Sequence, residues 1–279
     1  MHTIKAEEIT RTVKKLCIEA NIYLGKDVET AMAEATKTEE SPLGKDILGQ
    51  LLENARIAEV EGVPICQDTG FAFVALELGG DVHIDGNLYD AINQGVREGY
   101  NEGYLRKSIL WTPLSRKNTT DNTPAAIHLD LVPGDTLKIT VAPKGGGSEN
   151  MSTVKMLPPS AGEDGVVKTV VEWVRQAGGN PCPPLVIGIG LGGTFDICAW
   201  LAKKALLRDL GTHNPEPELA KLEDRLLTAI NETGIGPQGL GGRTTALGVM
   251  VEAFPCHLAS LPLAININCH AARHKTAIL

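Results

Sequence analysis

Aromatic residues, paired cysteines, long apolar runs and basic charge are all scarce in this sequence, and each shortage excludes something. Phe, Trp and Tyr make up 4% of the 279 residues, so the core must rest on Leu, Ile, Val and Ala. Six cysteines are present but no CxxC pair, which argues against a zinc knuckle or a ferredoxin-type cluster loop. No run of about 18 apolar residues occurs, and residues 1–8 lack a signal peptide's apolar stretch. A soluble cytoplasmic protein with no membrane partner is the expectation, and in that compartment thiols stay reduced and available to metals. The formal net charge of −8, without any basic block, counts against nucleic acid as a partner. Repeats, low-complexity tracts and Pro/Ser linkers are missing too, so residues 1–279 are expected to form one domain.

Glycine (30) and proline (16) are plentiful, and they cluster in what read as functional loops. Residues 1–62 form a helical region: apolar residues recur at three- and four-residue spacing over 6–24, 28–36 and 42–60. Ser41-Pro42 supplies a helix start, with the hydroxyl as N-cap and the proline at the first helical position. Residues 63–279 read as a mixed α/β core. Strands are expected over 71–78, 125–132, 137–141, 185–189, 245–253 and 258–267, and helices over 87–102, 165–176, 195–207 and 217–231. Pro133-Gly134-Asp135 predicts a hairpin turn joining the second and third strands. The fold class is therefore mixed α/β, with a helical N-terminal layer packed on a mixed-sheet core.

Residues 188–193 match G-x-G-x-x-G between a strand and a helix, with Asp209 about twenty residues on. A dinucleotide site needs that carboxylate at the tip of a second strand. Asp209 instead ends a helical pattern and runs into a Gly/Pro-bearing loop, so a nicotinamide or flavin site is not the reading. The glycines instead suit close backbone approach, either as a tight strand-to-helix turn or with helix N–H groups aimed at an anion.

Three cysteines stand beside residues suited to chemistry. Cys66 precedes Gln67-Asp68-Thr69-Gly70, Cys182 lies between Pro181 and Pro183, and Cys269 precedes His270. Three thiolates gathered from remote segments could hold an iron–sulfur cluster by three irons and leave the fourth open as a Lewis acid. Further polar clusters are Lys144–Asn150, whose glycines can offer N–H groups to a carboxylate, Gly236–Thr245 with Arg243, and Cys256-His257. Arg106, Lys107, Lys144 and Arg243 are the cations available for a small anion.

These motifs together carry a resemblance that runs through nearly the whole chain. Residues 64–70, 144–152, 180–184, 236–245 and 257–274 are similar to the α subunit of two-subunit class I fumarate hydratases, a group close to the L-tartrate dehydratase α subunit. The resemblance implies a [4Fe–4S] hydro-lyase that adds water reversibly to fumarate, giving (S)-malate. Carried over by motif, Cys66, Cys182 and Cys269 hold three irons and the remaining iron has no cysteine. Cys256, thirteen residues before Cys269, is the rival third ligand, while Cys17 and Cys198 fall in helical patterns as core residues. Asp68 and His257 are implied as a proton-transfer pair, and Gln67, Arg106 and Gly146 as holders of the small dicarboxylate substrate. Full-length relatives carry a second domain that closes the site, so a separate β subunit, with the base on it, and an α2β2-type oligomer are implied. The alternatives are L-tartrate as substrate, giving oxaloacetate, and a non-catalytic cluster or redox-sensing protein.

Overall fold

A computed structural model describes residues 2–279. In chain order the elements are β1 (His2–Lys5), α1 (Ala6–Ile22), α2 (Lys26–Thr38), α3 (Pro42–Glu61), β2 (Phe71–Gly79), β3 (Val82–Asp85), α4 (Leu88–Glu102), β4 (Ala126–Val132) and β5 (Leu137–Lys144). They continue with α5 (Gly146–Glu149), β6 (Thr153–Leu157), α6 (Gly162–Ala177), β7 (Leu185–Gly192), α7 (Phe195–Ala205), α8 (Pro217–Asn231), β8 (Ala246–Phe254), β9 (Leu261–Asn268) and β10 (Lys275–Ile278). The class is mixed α/β. Two compact units interleave along the sequence: Met1–Leu24, Ala55–Gly146 and Arg273–Leu279 form one, Gly25–Asn54 and Gly147–Ala272 the other. The N-terminal helices are shared out, α1 to the first unit and α2 to the second, with α3 continuing from one into the other.

The first unit is built on a sheet of order β10-β5-β2-β4, with β1 and β3 pairing separately in parallel. Alternate residues of β2 (Ala72, Val74, Leu76) and β5 (Leu137, Ile139, Val141) share one face. Against it lie Ile9, Val13, Leu16 and Cys17 of α1 and Ile92, Val96 and Tyr100 of α4, all at helical spacing. Helix α4 starts where the Asn87 side chain accepts the N–H groups of Tyr89 and Asp90.

The expected hairpin between residues 125–132 and 137–141 does not form. β2 lies between those strands, parallel to β4 and antiparallel to β5. The turn is real but closes over the end of β2: Gly79, Gly80 and Asp81 donate their N–H groups to the carbonyls of Thr136, Val132 and Gly134, each at 2.9 Å. A turn signal fixes that the chain reverses, not what is admitted between its arms.

The second unit carries a sheet of order β6-β9-β7-β8. Val166, Val170 and Val174 of α6 with Leu222, Leu226 and Ile230 of α8 cover Ile187, Ile189, Val249 and Val251 on one face. Helix α7 covers the other, where Cys198 and Ala202 meet Ala264. The glycine motif falls inside β7 itself. A Cβ on Gly188 would press on the Ala202 carbonyl oxygen, and one on Gly190 would lie 2.7 Å from the Ala202 nitrogen. These glycines therefore let α7 approach the strand, and Asp209 sits in the turn after α7, its carbonyl accepting the Thr212 hydroxyl. The reading that aimed helix N–H groups at an anion gives way to this close packing. Among the described residues no helix is long and apolar enough to cross a membrane.

Candidate active site

Cys66–Gly70 forms a compact loop leading into β2, held from several sides within the first unit. Gly70 has φ of +75°, and a Cβ there would lie 2.7 Å from the Lys144 nitrogen, so only glycine lets the loop meet the end of β5. Below it, the buried Tyr100 hydroxyl donates to the carbonyls of Thr69 (2.7 Å) and Gly70 (3.0 Å). Burial pushes the Tyr100 phenol above its ordinary value, which keeps it a neutral donor. Asn122 adds a bond from its side-chain N–H to the Gly70 carbonyl at 3.2 Å. The guanidinium of Arg273, 6% exposed, donates to the Asp68 carbonyl at 2.6 Å, and among the described residues its Nε and Nη1 have no partner.

The chemistry-bearing atoms sit on top of that frame. The Asp68 N–H donates to Cys66 Sγ at 3.4 Å, and the Cys66 thiol in turn donates to Gln67 Oε1 at 3.3 Å. Asp68 Oδ1 accepts the Gly70 N–H at 3.0 Å and Oδ2 accepts the Gly146 N–H at 2.8 Å. The carboxylate that meets the Gly146 amide here is thus the protein's own. Thr69, 2% exposed, uses one hydroxyl twice on Arg106, accepting its N–H at 2.9 Å and donating to its carbonyl at 3.2 Å. Cys66, Gln67, Asp68, Arg106 and Gly146, scattered over eighty residues, are in this way brought to one place.

In the second unit the Cys182 and Cys269 segments meet at one end of the sheet. Cys182 precedes β7 and Cys269 follows β9, and the register pairs Val186 with Asn268. The His270 N–H donates to the Cys182 carbonyl at 3.2 Å. Gln238, from the glycine-rich loop, donates to the Pro183 carbonyl through both its backbone N–H (2.8 Å) and its side-chain amide (2.7 Å), and that amide lies 3.2 Å from His270 Nδ1. The loop's N–H groups are largely used internally. Glu39, 1% exposed, takes those of Arg243 and Thr244, and the Arg243 guanidinium pairs with Glu40 at 3.0 Å. Burial works to raise the Glu39 pKa, but the N–H bonds from Arg243, Ser41 and Thr244 outweigh it and bring the group down to about 2. The Gly236–Thr245 loop is thus a brace, and its Arg243, counted among the cations available for an anion, is held by Glu40.

His257 lies elsewhere. It occupies the β8–β9 connection, three residues past Phe254, which pairs with Gly192 at the far end of β7. The eight-residue strand spans more than about 20 Å between that end and the Cys182–Cys269 end. His257 Nδ1 accepts the Ala259 N–H at 3.1 Å, so neutral imidazole carries its proton on Nε2. Cys256 shares this turn, its thiol donating to the Ser260 carbonyl at 3.3 Å.

None of the six cysteines is in a disulfide; Cys17 and Cys198 are buried in the two cores, as their helical spacing suggested. Among the described residues no three His, Cys, Asp or Glu side chains converge tightly enough for one metal ion. A cluster of separate irons does not need its thiolates to converge on one point, so three unbridged loop cysteines remain a fitting donor set. Sequence reading missed Tyr100, Asn122, Glu39 and Arg273 because each acts on residues distant in the chain. Gln238 did carry a signal, a polar residue set among glycines where a left-handed backbone is needed.

Residues 10–278 match the family described as Fumarate hydratase (Fumerase). The chain belongs to that family. It is 44% identical over 273 residues, 95% of either chain, to the putative L(+)-tartrate dehydratase subunit alpha of Methanocaldococcus jannaschii. To the L(+)-tartrate dehydratase subunit alpha of Escherichia coli O157:H7 it is 32% identical over 276 residues, 98% of this chain and 91% of that one. The Escherichia coli K12 protein of the same name is 31% identical over 276 residues. As a fumarate hydratase family member, the chain is a hydro-lyase component.

Proposed function

We propose that the chain is the α subunit of an iron–sulfur hydro-lyase that interconverts fumarate and (S)-malate together with a separate β subunit in a reducing cytoplasm. The observation that carries this reading is the Cys66–Gly70 loop, which fixes a thiol, a carboxylate and the Arg106 segment in one frame. Cys66, Cys182 and Cys269 would hold three irons of a [4Fe–4S] cluster. The Cys182–Cys269 tie supports Cys269 over Cys256 as third ligand, since Cys256 sits at the other end of the sheet. When bound, the cluster supplies Lewis acidity from the iron that has no cysteine.

The chain's own residues bind and move protons. The Arg106 guanidinium suits a substrate carboxylate through two parallel bonds, with Gln67 and the Gly146 segment proposed to complete the hold once substrate displaces Asp68 Oδ2 from the Gly146 N–H. Dehydration of malate removes hydroxide from one carbon and a proton from the next. Asp68 and His257 are the groups proposed to protonate the departing hydroxide, and the base for the carbon-bound proton is proposed to lie on the β subunit. Asp68 follows Cys66 by two residues, whereas His257 stands across the sheet from Cys182 and Cys269. We therefore assign the Asp68–His257 pair to two copies of the chain, as an α2β2-type assembly would allow.

A second reading, L-tartrate as the main substrate, is favoured by the names of the curated relatives. The test is anaerobic reconstitution of the chain with its β partner. A cluster spectrum that shifts on adding fumarate or malate, with faster turnover of these than of L-tartrate, is expected. Faster tartrate turnover would exchange the two readings. A cluster blind to all three acids would support a non-catalytic metal protein, absence of iron would overturn the hydro-lyase reading, and full activity of the chain alone would overturn the split site.

A further inference from the structure

We infer that Gln238 is a positioning residue that locks the Cys182 and Cys269 segments together so that their thiols are pre-arranged for the cluster; the inference rests on the iron–sulfur reading above. Gln238 is one of the few non-glycine residues with positive φ (+53°), and Cys182 is another (+57°). Such backbone conformations are unfavourable for side-chain-bearing residues and persist where surrounding contacts over-determine them. Here the contacts are visible. Gln238 grips the Pro183 carbonyl with two donors, at 2.8 and 2.7 Å, directly after Cys182. Its side-chain nitrogen must face that carbonyl, because the amide oxygen there would set two acceptors against each other. The same nitrogen lies 3.2 Å from His270 Nδ1, directly after Cys269, and gives its second hydrogen there in the tautomer that leaves Nδ1 unprotonated.

The two cysteine segments are thus joined by the His270 N–H on the Cys182 carbonyl, by the His270 ring, whose Nδ1 lies 3.2 Å from that same carbonyl, and through the Gln238 amide. The first bond is backbone to backbone, so a side-chain change does not remove it but can let it open more often. The last belongs to Gln238, whose bonds reach the Pro183 carbonyl and the His270 ring and so act on the two cysteines through the residues that follow them. Outer contacts of this kind orient ligands and commonly govern metal affinity. The loop that presents Gln238 is itself pinned by Glu39 at Arg243 and Thr244, which gives the brace a fixed base.

The discriminating variant is Gln238→Gly. Glycine accepts positive φ freely and keeps the backbone bond to Pro183, so the fold is relieved of strain while the side-chain link is lost. In the full chain, the expected result is a melting temperature of the cluster-free protein no lower than wild type. Alongside it, faster amide hydrogen exchange at His270 is expected, and cluster loss to a chelator about tenfold or more quicker. Gln238→Asn, too short to reach both partners, should behave likewise. His270 exchange unchanged in both variants would overturn the inference whether or not a cluster is bound. Wild-type protein that takes up no cluster would instead overturn the proposed function, leaving the exchange result to judge Gln238 separately.

Discussion

The Thr69 hydroxyl binds both backbone groups of Arg106, taking its N–H at 2.9 Å and giving its own hydrogen to the carbonyl at 3.2 Å. One small buried side chain thereby couples the segment carrying the candidate carboxylate grip to the loop carrying Cys66 and Asp68. Thr69→Val keeps the shape and removes both bonds, leaving two peptide groups unpaired at a cost of about 1–3 kcal/mol. We expect KM for the dicarboxylate to rise about tenfold or more in steady-state assays of the reconstituted pair, with Thr69→Ser restoring it.

Arg106→Lys tests the grip itself. A lysine keeps the charge but cannot make two parallel bonds to a carboxylate. The expected outcome is a higher KM, by about tenfold, with kcat much less affected, since ground-state and transition-state holding are lost together. A fall in kcat alone would assign Arg106 to proton or leaving-group chemistry instead.

A cross-copy pair can be caught by mixing. Asp68→Asn and His257→Ala chains should each be inactive with the β subunit. Co-refolded, they should regain activity, because hybrids contain one site with both native groups, about a quarter of all sites in a random mixture of dimers. No recovery would place both groups in one chain or dismiss one of them.

Glu39 makes an acid-stability prediction. Its folded pKa of about 2 lies below the ordinary 4.5, so its contribution is complete above 4.5 and disappears as pH falls towards 2. Full ionisation is worth about 3 kcal/mol on that difference. Glu39→Gln should therefore melt well below wild type at neutral pH, and the two melting curves should converge near about pH 2 to 3.

Gly188→Ala should destabilise the second unit by about 2 kcal/mol or more, because the new methyl group meets the α7 backbone, which cannot step aside. Titration of the wild-type protein with nicotinamide or flavin dinucleotides should show no binding. Tight binding would restore the dinucleotide reading of residues 188–193.

The longer helices were legible in the sequence to within two or three residues at either end, while the single turn of α5 was not. Pro217–Asn231 combines a proline start with uninterrupted helical spacing, and both signals are local. The strands were found but not their partners: β4 and β5 are neighbours in sequence but are separated in the sheet by β2, which pairs with both. Short strands such as β1, β6 and β10 escaped notice, having too few residues to show alternation. The Cys66–Gly70 cluster could be read because its chemistry is contiguous. Glu39 could not, since it draws its meaning from Arg243 and Thr244, some two hundred positions away.

β10 closes the edge of the first sheet through backbone pairing with β5, although 130 residues separate the end of one strand from the start of the other. During synthesis that edge of β5 stays open while the second unit is made, on the order of ten seconds at ~5–20 residues per second. For this interval the nascent protein exposes unpaired strand, the state in which sheets recruit wrong partners. Expression yield should accordingly depend on translation speed and chaperone supply across residues 145–274, a demand set by the order in which the strands leave the ribosome.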